Sequence, residues 1–161
     1  MNTGTRRSRL RGFTLVELLA VMAVMGILAA MVLPLAELNL RRERERELKQ
    51  ALWQIREAID EYHRATLEGG IAVPAGTAGY PPSLEALAQG VPDTRRGGQL
   101  SYILRRIPRD PFADPSLPAE KTWALRSHAS PPDRPAPGTD VFDVASRSEE
   151  VGLNGVPLKQ W

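Results

Sequence analysis

A long apolar stretch lies near the start of the chain. Over residues 18–36, which number 19, there is no charged or strongly polar side chain. A helix of this length rises about 28 Å, close to the roughly 30 Å hydrocarbon thickness of a bilayer. Helices buried in soluble domains rarely stay apolar on every side over such a distance. The pattern therefore predicts a membrane-spanning helix.

A second helical pattern follows. Residues 41–47 form a charge run that is compatible with helix, and opposite charges at i,i+4, such as Glu45 and Lys49, support it. Beyond the run, apolar residues recur at spacings of four and three, which is the stripe of an amphipathic helix. The stripe consists of Leu48, Leu52, Ile55, Ile59 and Tyr62. We interpret the charge run as a solvated helix face, with ion pairs to a neighbouring molecule as the alternative. Trp53 lies off the apolar stripe, so it packs either at the edge of the domain or at a contact between subunits.

The rest of the chain is divided into short segments. Gly69 and Gly70 end the periodic pattern, and a loop rich in glycine, alanine and proline follows. Ser83 and Gly90 bracket a short predicted helix, as an N-terminal cap and a left-handed residue after the last turn. A polar turn is predicted over residues 92–98. Extended segments are predicted at residues 100–104, 122–128, 140–146 and 156–161. The predicted class is α+β, with a long N-terminal helix packed on a small C-terminal antiparallel sheet.

The amino-acid composition argues against several kinds of functional site. The 21 basic and 19 acidic residues leave a net charge of only +2, so the chain offers no general reason to expect nucleic-acid binding. Without cysteine there are no disulfides, no thiol catalysis and no cysteine zinc site. The two histidines, His63 and His128, lie far apart and belong to no nucleophilic arrangement. We therefore expect the protein not to be an enzyme.

The junction before the apolar stretch carries a specific motif. A leader with Arg6, Arg7, Arg9 and Arg11 and no acidic residue precedes the sequence Arg-Gly-Phe-Thr-Leu-Val-Glu over residues 11–17. An ordinary secretory signal would be cut after the apolar run, but the run continues past its small residues. The junction instead resembles the type IV prepilin signature, shared by type IV pilins and type II secretion pseudopilins. This resemblance implies that a membrane aspartyl peptidase cuts between Gly12 and Phe13 on the cytoplasmic side and methylates Phe13.

Glu17 and Pro34 are the candidate assembly residues. A carboxylate inside an apolar stretch is costly in lipid and is best interpreted as a group that seeks a partner. In the resembled family, the amino group of Phe13 in a neighbouring subunit would be that partner; the alternative is that Glu17 reaches the membrane interface. Pro34 should kink or loosen the helix and so aid packing in a filament, or else it marks the end of the lipid-buried part.

A second segment narrows the resemblance. Tyr80-Pro81 precedes the short helix, and residues 107–112 read Ile-Pro-Arg-Asp-Pro-Phe. Together with the junction, they resemble the major pseudopilin of type II secretion. The resemblance implies a single-pass inner-membrane precursor with its N-terminus in the cytoplasm, which later joins a periplasmic pseudopilus that supports protein export. The implied regions are a leader (1–12), a transmembrane and filament-core helix (13–38), a stalk helix (39–67) and a periplasmic domain (68–161).

The resemblance also implies partners and a cofactor. The partners are copies of the chain, minor pseudopilins, prepilin peptidase, an inner-membrane assembly platform with its ATPase, and membrane lipid before assembly, with no nucleic acid. Major pseudopilins often bind calcium in a loop near the carboxyl end, and calcium prefers oxygen ligands. The candidate ligands here are Asp140, Asp143, Glu149 and Glu150, although the dense aspartate cluster of that loop is missing. The alternative is that these carboxylates are solvated.

Two other functions stay open at this point. A type IV pilin or minor pilin would serve adhesion, motility or DNA uptake, and the missing cysteine pair argues mildly against it. A permanently membrane-tethered binding module or enzyme would keep residues 1–12 in the mature protein. The amino terminus of the mature chain separates this second alternative from the others.

Overall fold

A single long helix dominates the N-terminal part of the chain. The computed structural model describes residues 14–161, with the side chains of residues 31–34 left out, and the chain divides into two compact units at Arg41 and Arg42. Helix α1 covers Leu15–Leu67, so the predicted apolar and amphipathic helices form one element. It ends where Gly69 adopts φ of 74°, a left-handed conformation that glycine accepts without strain. The leader, Gly12 and Phe13 lie outside the described residues.

The predicted stripe on α1 is confirmed as the core of the second unit. Its members Leu48, Leu52, Ile55, Ile59 and Tyr62 are all buried. Burial of a row of side chains at helical spacing removes several large apolar surfaces from water at once, which is the main stabilising term for such a small unit. Ala51 and Ala58 of α1 are buried beside the stripe. The C-terminal part supplies the rest of this core, including Leu84, Leu87, Trp123, Val144 and Leu158.

The C-terminal part contributes one short helix and two hairpins. Helix α2 covers Leu84–Gln89, and the Ser83 side chain accepts the Ala86 N–H as predicted. Strands β1 (Val91–Asp93) and β2 (Gln99–Ser101) pair antiparallel, with Pro92 opposite Leu100. Strands β3 (Trp123–Arg126) and β4 (Asp143–Ser146) form the second antiparallel pair, with Trp123 opposite Ser146. The α+β class is confirmed, with two separate two-stranded sheets.

Three local predictions were wrong. The segment predicted as a strand over residues 156–161 contains a 3₁₀ turn, Leu158–Gln160, because Pro157 fixes the backbone ahead of it and Leu158 turns into the core. Strand β1 lies partly inside the predicted polar turn. Glu45, which was assigned to a solvated face, is only 6% exposed.

Gly90 also departs from its prediction. Its φ of 91° and ψ of 142° lie outside the left-handed helical region. A Cβ atom at this position would come within 2.9 Å of the Tyr102 ring. Glycine is therefore required here by its positive φ and by the close approach of an aromatic side chain.

Candidate functional site

The described side chains at the start of α1 form an exposed apolar surface. Every described side chain over residues 15–30 is exposed, including Leu15 at 76% and Met25 at 65%. Within the described residues, one helix, α1, is long and apolar enough to cross a membrane. Apart from Glu17 this surface is almost entirely apolar, and soluble monomers rarely expose an apolar patch of this size. Such a surface is typical of a helix that lipid or other protein chains cover.

Glu17 lies in the first turn of α1, beside a helix cap. The Thr14 Oγ1 accepts the Glu17 N–H at 3.2 Å, which satisfies one of the open amides at the start of the helix. The Glu17 side chain is exposed, at the end of the helix where the macrodipole favours a negative charge. The cap was missed by the sequence analysis, although a threonine three residues before a glutamate is a known start signal. The pairing of Glu17 with an amino group at Phe13 stays a prediction.

Pro34 does not end the helix. Helix α1 runs from Leu15 to Leu67 without a break, so Pro34 lies inside it. Proline has no amide hydrogen, so the carbonyl one turn earlier, at Ala30, receives no helical hydrogen bond from it. The proposed kink at Pro34 stays a prediction.

The predicted calcium ligands do not converge. Asp140 accepts the Ser127 hydroxyl at 2.7 Å and the His128 N–H at 2.9 Å, both through Oδ1. Asp143 lies on β4, where its Oδ1 accepts the Arg56 Nε–H at 2.8 Å and the N–H of the next residue, Val144, at 2.8 Å. These two aspartates therefore bind different donors, Asp140 in the segment after β3 and Asp143 on α1 and β4.

The two glutamates follow the same pattern. Glu149 accepts the Lys159 Nζ at 2.8 Å, and Glu150 is exposed next to it. Among the described residues, no group of three or more acidic or histidine side chains is placed to hold a metal ion. This arrangement does not fit a calcium site. Calcium binding stays a prediction that these side chains do not support.

The motif at residues 107–112 organises the core. Asp110 is 1% exposed; its Oδ2 accepts the Ser146 hydroxyl at 2.6 Å and its Oδ1 accepts the Phe112 N–H at 2.8 Å. Just before it, the Pro108 carbonyl accepts the indole N–H of the buried Trp123 at 2.9 Å. The motif thus ties one loop to both strands of the second hairpin. Its role in this chain is structural.

An aromatic cluster joins α1 to the second hairpin. The His63 ring stacks on Tyr80 with centroids 4.1 Å apart, and His128 stacks on Tyr80 at 5.4 Å. Phe142 meets Tyr80 edge-on at 5.0 Å. Burial, aided by the nearby carboxylates of Asp60 and Asp140, raises the pKa of Tyr80 and keeps its phenol neutral. Both histidines of the chain take part in this packing, which sequence spacing alone did not reveal.

Comparison with known proteins matches both parts of the chain. The family model for the prokaryotic N-terminal methylation motif matches residues 7–33. The type II secretion system core protein G of Klebsiella michiganensis is 30% identical over 112 residues, which cover 66% of this chain and 71% of the relative. No solved structure matches the chain.

Proposed function

The chain belongs to the family of type II secretion system core protein G, and we propose that it is the structural subunit of a periplasmic fibre that supports protein export across the outer membrane. As a pseudopilin it carries the methylation motif at residues 7–33, an apolar helix that begins at Leu15, and a small α+β unit. The proposal concerns what the mature subunit does with these parts. Its role is mechanical, and no catalytic step is assigned to it.

The observation that carries the proposal is the uncovered apolar surface of the first unit. Lipid tails cover such a helix in the membrane, and the helices of other subunits cover it equally well in a bundle, because both surroundings are apolar. A helix that is apolar on all sides is therefore able to exchange one cover for the other. This exchange is the physical basis of assembly from a membrane pool.

Glu17 supplies the specificity that apolar packing lacks. Cleavage after Gly12 would create a cationic amino group at Phe13, and methylation leaves that charge in place. A neighbouring subunit's Glu17 would pair with it in the apolar filament interior. Leaving one member of such a buried pair without the other costs about 3–5 kcal/mol, so subunits in the correct register are strongly favoured.

The partners follow from the same proposal. Trimming requires a prepilin peptidase that meets the Gly12–Phe13 bond at the cytoplasmic face. Extraction from lipid requires an inner-membrane platform and an ATPase, and minor pseudopilins would complete the fibre. In this topology the second unit, from Arg42 onward, lies in the periplasm and forms the outer surface of the fibre.

A substitution at Glu17 tests the role in assembly. We expect Glu17→Gln to preserve membrane insertion and trimming but to reduce the yield of sheared fibres at least about tenfold, because a neutral amide leaves the buried amino group without a counter-charge. The measurement is fibre yield from cells with a complete type II system, with the trimmed subunit quantified in the membrane.

Thr14→Ala is the matched control. It removes the hydroxyl that accepts the Glu17 N–H but leaves the carboxylate in place. We expect a much smaller loss of fibres, because an N-terminal cap contributes only about 1 kcal/mol. A native fibre yield from Glu17→Gln would contradict the assigned role.

A further inference from the structure

We propose that the guanidinium of Arg56 serves as the built-in cation of the C-terminal segment, residues 143–161. Together with Glu45, it fastens this segment to α1, so the second unit reaches full stability without calcium. This inference concerns the fold of the subunit and does not depend on polymerisation.

Arg56 is surrounded by oxygen atoms of the C-terminal segment. Its Nε donates to Asp143 Oδ1 at 2.8 Å, and its Nη2 donates to the backbone oxygens of Val144 at 3.0 Å and Trp161 at 2.8 Å. One carboxylate and two backbone oxygens are the ligand types that calcium selects in proteins. Here a fixed positive charge with directed N–H donors already binds them.

Glu45 makes the second attachment. Its Oε1 accepts the Leu153 N–H at 2.7 Å, although the two residues are 108 positions apart, and its side chain is withdrawn from solvent. The loop around Leu153 thus presents an amide donor to the carboxylate. A bound cation would need an oxygen atom where the Leu153 N–H faces Glu45, and an N–H donor disfavours a cation at that position.

The same loop uses its own oxygen atoms internally. The Val156 carbonyl accepts the Gly152 N–H at 2.9 Å, and the Gly152 carbonyl accepts the Gly155 N–H at 2.9 Å. The Asn154 side-chain oxygen accepts the Val156 N–H at 3.0 Å. These three oxygens therefore accept hydrogen bonds that close the loop on itself.

The spacing of the two attachments on α1 explains why they act together. Glu45 and Arg56 differ by 11 positions, 56 − 45, which is about three full helical turns and about 16 Å along the axis. Both side chains therefore leave the same face of the helix. Between them, Lys49 places its Nζ 4.5 Å from the centre of the Trp161 ring. One face of α1 thus holds the segment at several points.

The direct test is thermal unfolding of the full chain in detergent, monitored by tryptophan fluorescence and compared between a buffer with millimolar calcium chloride and a buffer with EGTA. We expect the same midpoint in both buffers. A midpoint several degrees higher in calcium than in EGTA would overturn the proposal. This measurement needs no variant, so it stays decisive even if substitutions prevent folding.

Hydrogen exchange with mass spectrometry tests the attachments themselves. We expect Arg56→Gln and Glu45→Gln each to accelerate amide exchange in residues 143–161 about tenfold or more, since a hydrogen bond to a charged group is lost. Exchange in residues 84–101 should change far less. Native exchange rates in residues 143–161 of both variants would refute the proposed attachments.

Arg64→Gln is the matched control for Arg56→Gln. Arg64 lies on the same helix, and it pairs with Glu61 through an exposed contact of 2.5 Å. Loss of an exposed pair changes stability little. We expect its exchange pattern to match that of the native chain, and an effect as large as that of Arg56→Gln would count against a specific role for Arg56.

Discussion

Asp110 provides the sharpest test of the described packing, because substitution of a buried, hydrogen-bonded carboxylate strongly lowers stability. It is 1% exposed and accepts two hydrogen bonds, from the Ser146 hydroxyl and the Phe112 amide. Asp110→Ala removes both bonds and leaves the Ser146 hydroxyl and the Phe112 N–H without this acceptor beside a buried position. It also opens a small space beside the second hairpin.

The expected loss follows from these contacts. Each hydrogen bond to a charged group contributes about 1.5–3 kcal/mol, and removal of the buried charge returns part of its desolvation cost, so we expect a net loss of about 3 kcal/mol. For a unit of this size, each kcal/mol shifts the melting temperature by about 4 °C, so the variant should melt about 12 °C below the native chain.

The assay is thermal unfolding of the full chain in detergent, monitored by the near-ultraviolet signal of its aromatic residues. Asp114→Ala is the matched control, because Asp114 also precedes a proline and its Oδ1 accepts the N–H two residues later, of Ser116, at 2.8 Å. Asp114 is exposed, so we expect this variant to melt close to the native temperature. Equal melting temperatures for the two variants would refute the argument from burial.

Two further predictions concern α1. Leu48→Ala should lower the free energy of unfolding by about 3 kcal/mol, because Leu48 is fully buried. Trp53→Ala should lower it by less than about 1 kcal/mol, because Trp53 is 66% exposed. Chemical or thermal unfolding compares the two variants, and similar losses would contradict the observed orientation of the helix. Burial raises the pKa of Tyr62 above its ordinary 10.0, so the folded state holds this proton more tightly than the unfolded state does. The contribution of Tyr62 to the free energy of unfolding should therefore be fully present below pH 10.0 and be lost as the pH rises through the raised pKa. Tyr62→Phe should reduce this alkaline loss of stability in a pH series of melting curves. An unchanged loss would contradict the raised pKa of Tyr62.

Local periodicity was sufficient to predict α1 and its buried stripe. The stripe repeats with the period of the helix itself, so Leu48 to Tyr62 could be assigned to one face without knowing what packs there. The short helix capped by Ser83 was predicted for the same reason, because a cap and its helix are adjacent in sequence.

Contacts between distant residues could not be predicted. Glu45 was expected to be solvated within its charge run, but it is buried and its carboxylate accepts the Leu153 N–H, 108 positions later. Likewise, the family resemblance made Asp143 a candidate calcium ligand, and its contact with Arg56, 87 positions earlier, could not be predicted from the sequence. Strands of three or four residues carry too little pattern to fix their ends, so β1 and the 3₁₀ turn at Leu158–Gln160 were assigned wrongly.

The most direct test of the central claim is the intact mass and amino-terminal sequence of the chain recovered from native inner membranes and from sheared fibres. We predict a chain that begins at Phe13 with one methyl group on its amino nitrogen, in the membrane pool and in the fibres. Fibre material that still begins with Met1 would contradict the proposed processing and assembly.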